Sequence, residues 1–336
     1  MSHRDDLSAW TGRVDAIDGE AGRRWHQLVE RAADADRAGV ALLGFASDAG
    51  VWRNHGRPGA AEGPDALRRM LANLAWHGTP DDRLYDAGTV TCEGDALEVA
   101  QQEYAGRIAA LLQAGHFPIG LGGGHEIAWA AYQGVAQALV DDPRLERLGI
   151  VNFDAHLDLR QPEIPGRGTS GTPFLQIAEA RAAAGTPFRY LCIGVSESAN
   201  TPAILARAVK LGTEIALDVD ADSPDTESRL QRFIAESSAV YLTICLDVLP
   251  PSVAPGVSAP SGLGVMPGRV VELMRECLRG CGPRNAGSKL LLADLAELNP
   301  RHDPDGRTAR VAARLVYELT AFGSLPGPQG PSILRR

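Results

Sequence analysis

The sequence predicts a parallel β-sheet covered by helices on both faces. Short runs are apolar at every position rather than at alternate ones, which marks strands buried on both faces. Longer segments of helical pattern lie between those runs, the alternation of an α/β protein. The motifs rich in His, Asp and Gly follow the ends of the apolar runs, where open parallel sheets bind their ligands.

The first strand is Val40–Phe45 (VALLGF). Pro64–Leu74 is a helix; it follows Gly63, and the fixed φ of proline suits a first helical turn. Ala96–Ala114 has apolar residues at helical spacing. Phe117–Leu121 (FPIGL) is a strand, Trp129–Leu139 a helix and Leu148–Phe153 (LGIVNF) a strand. Tyr190–Val195, Ala239–Leu246 and Lys289–Leu295 are further strands, and Thr308–Thr320 is the last helix. A chain of 336 residues can form one large α/β domain or two ordinary ones. No linker interrupts residues 21–322, so a single domain is expected there, flanked by a polar segment, 1–20, and a Gly/Pro-rich tail, 323–336.

Hydrophobic residues make up 44% and charged residues 22%, a globular composition that excludes a mostly disordered chain. The 33 Lys and Arg against 42 Asp and Glu give a net charge of −9. That balance argues against a nucleic-acid partner, which calls for a basic stripe. The five cysteines include no CxxC pair, so neither a disulfide scaffold nor a zinc finger is expected, and a reducing cytoplasm is. The start, MSHRDDLSAW, has no apolar signal core, and no apolar run approaches the ~18 residues of a membrane span.

Four segments carry chemistry. Gly122-Gly123-Gly124-His125-Glu126 follows the strand Phe117–Leu121. Its glycines permit a sharp turn and close backbone approach. Neither the phosphate-loop nor the dinucleotide pattern is present, and taken alone His125 reads as a hydrogen-bonded structural histidine rather than a metal ligand. Asp154, His156 and Asp158 recur at two-residue spacing after Leu148–Phe153, which puts the three on one side of the chain. Such a set repels itself unless a cation binds, and its N and O donors suit a divalent ion such as manganese. The same spacing also fits a strand-end turn with solvated acids. Cys245 and Asp247 share that spacing at the end of Ala239–Leu246, ahead of a Pro/Gly-rich loop, Pro250–Pro260. Cys245 alone reads as a small core residue. Glu297, in Glu297-Leu298-Asn299-Pro300, is a carboxylate able to pair with a cationic amidine or guanidine, or an exposed turn residue.

Together these segments resemble the ureohydrolase family of arginases, agmatinases and formimidoylglutamases. GGxH and DAHxD occur in order, followed by a modified DxDxxDP, and the match runs from about Gly44 to about Phe322. The resemblance implies a three-layer α/β/α sandwich with a mainly parallel central sheet and two manganese ions per chain. It assigns His125, Asp154 and Asp158 to one ion and Asp154, His156 and Asp247 to the other, with Asp154 shared. Glu297 would face the substrate's amidine or guanidine group. Three positions depart from the commoner pattern: Cys245 stands for a bridging aspartate, Pro250 for a third aspartate, and Ser170 for a histidine that shuttles protons. That loss leaves Asp158 or water to protonate the leaving nitrogen.

Within the family, Ser170-Gly171-Thr172-Pro173-Phe174, the loop after Cys245 and Arg53–Pro64 look most like formimidoylglutamases. These hydrolyse N-formimidoyl-L-glutamate to L-glutamate and formamide in histidine breakdown. Arg53, Asn54, Arg57 and Arg160 are the candidates to receive the carboxylates of a glutamate skeleton, since Arg can clamp a carboxylate through two bonds. The expected partner is a small acidic amidine, with no nucleic acid and no membrane; a homo-oligomer is left open. The alternatives are a guanidino hydrolase that releases urea, and a non-catalytic member that acts as a binding subunit.

Overall fold

The computed structural model describes residues 7–79, 81–284 and 287–321. Among the described residues nine strands form one sheet: β1 Glu30–Arg31, β2 Val40–Ala46, β3 Leu84–Thr91, β4 Phe117–Leu121, β5 Leu148–Phe153, β6 Arg189–Val195, β7 Glu214–Leu217, β8 Ala239–Cys245 and β9 Leu290–Ala296. The order across the sheet is β1-β3-β2-β4-β9-β8-β5-β6-β7, and every strand pair is parallel. The helices are α1 Ala49–Arg53, α2 Gly63–Leu71, α3 Leu97–Gln113, α4 Ile127–Ala138, α5 Pro173–Ala183, α6 Pro202–Lys210, α7 Pro224–Glu236, α8 Pro267–Cys281 and α9 Arg307–Ala321.

The alternation of side chains along β8 shows how the layers divide. Val240, Leu242 and Ile244 join the core cluster that includes Leu67, Leu230, Leu273 and Val316 from α2, α7, α8 and α9. Tyr241 belongs to the other cluster, with Tyr104, Val135, Phe174 and Ile204 from α3, α4, α5 and α6. Both faces are apolar because both carry helices, which is why the strand sequences do not alternate. Among the described residues no helix is long and apolar enough to cross a membrane.

The strands expected from apolar runs agree with the observed ones to within one residue at either end. Three strands, β1, β3 and β7, escape that reading. β3 (LYDAGTVT) is buried along nearly its whole length but carries Asp86, Gly88 and two threonines, and so lacks a continuous apolar signal. Five helices, α1 and α5 to α8, also escape it, although each of α5 to α8 begins with proline at its first turn. The proline cue that identifies Pro64 applied equally to Pro173, Pro202, Pro224 and Pro267.

The boundary expected at residue 20 does not separate the preceding stretch from the domain. Trp10 is buried in the core, and its Nε1–H donates to Asp86 Oδ2 at 2.6 Å. The tail 323–336 lies outside the described residues.

Candidate metal centre and active site

The chemistry-bearing segments follow β4, β9, β8 and β5, four strands that lie side by side in the middle of the sheet. His125 comes from the turn after β4, Asp154, His156 and Asp158 follow β5, Cys245 and Asp247 close β8, and Glu297 follows β9. These are carboxyl-terminal strand ends beside the point where the strand order changes direction, the usual ligand position of an open parallel sheet.

The turn at Gly122–Gly124 is wedged between backbones. A side chain at Gly123 would meet Ser47 O at 1.8 Å, so only glycine fits. Gly123 N–H donates to Phe45 O, and Gly123 O accepts from Glu297 N–H at 2.7 Å. The turn thereby joins the β2, β4 and β9 ends and sets His125 beside Glu297. Glu126 points away from the cavity; it accepts from Ser47 Oγ at 2.8 Å and Gly50 N–H at 2.9 Å, and burial raises its pKa to about 7.

His125 is buried, with Nδ1 2.9 Å from Asp154 Oδ2 and 2.9 Å from Asp158 Oδ2. Neither contact has hydrogen-bond geometry, so Nδ1 is a buried nitrogen without a hydrogen-bond partner, facing two carboxylates. His156 Nδ1 lies 3.0 Å from Asp247 Oδ2 and 3.7 Å from Asp154 Oδ1. Two groups can each gather donor atoms within 4.8 Å of one another: His125, Asp154 and Cys245, and Asp154, His156 and Asp247. Asp154 is common to both.

The electrostatics describe a site that calls for positive charge. Burial opposes charge on His125, but Asp154 and Asp158 outweigh it and raise its pKa well above the usual imidazole range. Burial likewise opposes charge on His156, which Asp247 and Asp154 raise. Burial and then Asp154 push Asp158 up to about 6. Burial and the surrounding carboxylates, Asp154 first, push the Cys245 thiol well up. A divalent cation among these groups relieves the crowding of Asp154, Asp158 and Asp247, and the N, O and S donors fit such an ion.

Glu297 and Asp158 stand at φ of 72° and 47°, backbone conformations uncommon outside glycine. The inward aim of their carboxylates costs strain that the surrounding packing must hold. Glu297 Oε1 accepts from His125 N–H at 2.8 Å, while buried Oε2 has no partner. Burial, followed by Glu126 and Asp247, raises the Glu297 pKa well above the carboxylate range.

A cavity of about 220 Å³ covers the cluster; His125, His156, Asp158, Cys245, Asp247 and Glu297 line it, as do Asn54, Arg57, Arg160 and Ser170. Arg53 does not join them. It lines a separate cavity, of about 550 Å³, and all five of its N–H donors are engaged by Asp95, Glu98 and Gly168 O. The sequence could not show this, because Asp95 and Glu98 lie over forty residues away. Arg57 donates to the carbonyls of Pro255 and Val257, fixing the loop after Cys245 as a cavity wall. Arg160 is exposed and has no ion pair or hydrogen-bonded side-chain partner among the described residues. Gly171 makes room for it: a side chain there would meet Arg160 Cδ at 2.8 Å and Asn54 Oδ1 at 3.0 Å. The cavity walls also include His55 and Ser258, which the motif reading passed over. Both flank residues it did name, Asn54 and the Pro250–Pro260 loop.

Sheet order, strand-end cluster and cavity define a class: parallel α/β proteins that gather cation ligands where central strands end. The sequence model of the arginase family matches residues 38–321, and the chain belongs to the arginase family. It is 54% identical over 326 residues to a formimidoylglutamase of Ralstonia nicotianae, covering 95% of this chain and 96% of that one. With a formimidoylglutamase of Aromatoleum aromaticum it shares 50% over 332 residues, covering 95% and 94%. A solved Trypanosoma cruzi formiminoglutamase with Mn2+ superposes with a TM-score of 0.75 at 27% identity, covering 87% of this chain and 97% of that one. The Bacillus subtilis formimidoylglutamase shares the fold, with a TM-score of 0.77 at 21% identity over 91% of this chain and 93% of that one.

Proposed function

We propose that this protein hydrolyses the amidine C–N bond of N-formimidoyl-L-glutamate, releasing L-glutamate and formamide, with manganese held by His125, Asp154, His156, Asp158, Cys245 and Asp247. The observation that carries the reading is the pair of donor groups sharing Asp154, in which the His125 nitrogen faces two carboxylates. Full-length relatives of about half-identical sequence that bear the formimidoylglutamase name support it. We assign two ions, one to each donor group, with Asp158, whose Oδ2 lies 2.9 Å from His125 Nδ1, added to the first. A divalent ion supplies Lewis-acid chemistry, lowering the pKa of water so that hydroxide is available near neutral pH.

The chain's own residues do the rest. Glu297 Oε2, buried and unpartnered, receives the amidinium N–H in a charge-assisted hydrogen bond and orients the carbon for attack. Asp158, on the cavity wall beside His125, takes up the proton that the attacking water releases and passes it to the leaving nitrogen. Ser170 offers no imidazole for that task. Arg160 and Asn54, side by side at Gly171, receive a substrate carboxylate. Arg57 adds positive charge to the same wall and, with Arg160, repels a dication such as agmatine. A thiol ligand requires a reducing compartment, in keeping with a cytoplasmic reaction.

Purified protein loaded with manganese should turn over formimidoylglutamate and act poorly on arginine and agmatine; preference for agmatine would overturn the assignment. Arg160→Ala should raise KM for formimidoylglutamate by roughly 10- to 100-fold, the worth of a charged hydrogen bond at about 1.5–3 kcal/mol. A KM within twofold of the parent value would remove Arg160 from the substrate site.

A further inference from the structure

Beneath the candidate metal cluster, one register of the sheet is polar across adjacent strands. Asn152 on β5 pairs with Thr243 on β8, Thr243 with Asp294 on β9, and Asp294 with Gly120 on β4. Each polar residue is fully buried in a sheet that is otherwise apolar at this depth. Buried polar groups cost stability unless each is satisfied, so the directions of their hydrogen bonds are informative.

Asp294 is an acceptor at both oxygens: Tyr241 O–H donates to Oδ2 at 2.5 Å and Thr243 Oγ1–H donates to Oδ1 at 2.6 Å. A hydroxyl has one proton, and Thr243 gives its own to Asp294. Toward His125 Nε2, 3.0 Å away, Thr243 Oγ1 can therefore only accept. The imidazole must carry a proton on Nε2, so Nδ1, toward Asp154 and Asp158, is the nitrogen that can offer a lone pair to a cation. A side chain at Gly120 would meet Asp294 Cβ and the Tyr104 hydroxyl at 2.6 Å each, so glycine there makes room for the carboxylate.

We infer that Asp294 and Thr243 are positioning residues for the metal centre: a buried carboxylate–hydroxyl relay fixes His125 in the tautomer and orientation whose Nδ1 can bind a cation. The inference rests on the metal reading proposed above and extends it to two residues that touch neither cation nor substrate. Asp294 lies well inside β9, three residues before Glu297, and acts only through Thr243.

The test is metal affinity, measured by competition with a chelator on folded protein. Thr243→Val keeps the shape and removes the relay; it should weaken manganese binding by ~10- to 100-fold, the usual effect of losing a partner behind a ligand. Thr243→Ser keeps the hydroxyl and should bind within about threefold of the parent. Asp294→Asn can donate to Thr243, freeing the Thr243 proton to point at Nε2, and should weaken binding in the same direction. Unchanged affinity in Thr243→Val, or failure of Thr243→Ser to retain it, would overturn the relay. Nitrogen NMR of zinc-loaded parent protein needs no variant: His125 should show a protonated Nε2 and a metal-bound Nδ1, and the reverse pattern overturns the inference. Parent protein that binds no divalent ion would overturn both this inference and the metal reading, whereas tight binding by parent and Thr243→Val alike would overturn the relay alone.

Discussion

Two buried charge clusters sit in this sheet, and they are finished differently. Arg68 of α2 and Asp86 of β3 form a fork-to-fork pair, Nε to Oδ2 at 2.7 Å and Nη2 to Oδ1 at 2.9 Å. Arg68 also donates to Thr89 Oγ1 and Gly88 O, and Asp86 also accepts from Trp10 Nε1–H and Gly88 N–H. The second cluster, buried His125 and Asp154 with partly buried Asp158, leaves a ring nitrogen facing two carboxylates with no hydrogen bond between them. The first cluster is complete without any further group and serves the fold. The second leaves a buried ring nitrogen between carboxylates without a hydrogen bond, which is what marks it as a site. Burial alone does not separate the two; hydrogen-bond completion does.

The sharpest way to break this contrast is Asp154→Asn, which removes the carboxylate common to both donor groups. Activity should fall beyond the ~10³-fold that one electrostatic donor costs an active site, and metal content should fall with it while the protein stays folded. Retention of metal in that variant would show that the incomplete cluster is not the cation site. Asp86→Ala makes the converse change. It should cost about 3–5 kcal/mol in denaturant unfolding, because it strands the Arg68 charge, yet leave metal per folded chain unchanged.

Cys245 probes the edge of the second cluster. Without a cation its thiol stays protonated, since burial and the neighbouring carboxylates oppose a thiolate. Cys245→Ala should lower manganese per chain, whereas Cys245→Asp should keep it and remove sensitivity to peroxide, which oxidises thiolates. Equal metal content in parent and Cys245→Ala would reduce Cys245 to a packed side chain.

The smallest expected effect is on pH dependence. In chelator-treated protein, His125, His156, Asp158 and Asp247 all have raised pKa values. The folded state then holds protons that the unfolded chain has released. Their contribution to stability is full below each unfolded pKa and is lost as pH rises through the raised value. Asp154 has the opposite sign: burial raises its pKa, but His125 and His156 outweigh burial, and its contribution is lost only below the usual carboxylate range. The Tm of the metal-free protein should therefore fall from about pH 5 to about pH 8, and the Tm gain on adding manganese should grow over the same range. A gain independent of pH would contradict a cation that replaces protons in this cluster.

Much of this was legible in the sequence. Apolar runs located six strands, because a strand covered on both faces needs apolar side chains at every position. The spacing of Asp154, His156 and Asp158, and of Cys245 and Asp247, exposed the donors, because alternate residues at a strand end share a side. Those are local properties, repeating within a few residues. What only the tertiary structure decided depends on strand order and register, which long-range packing sets. Nothing local makes β4, β9, β8 and β5 neighbours, although that adjacency is what brings His125 and Glu297 to the Asp154 cluster. The same holds for Arg53, turned by Asp95 and Glu98 into a different cavity. It holds for Thr243 and Asp294 as well: each reads as a lone polar residue within an apolar strand, and their purpose emerges only when the register sets one against the other beneath His125.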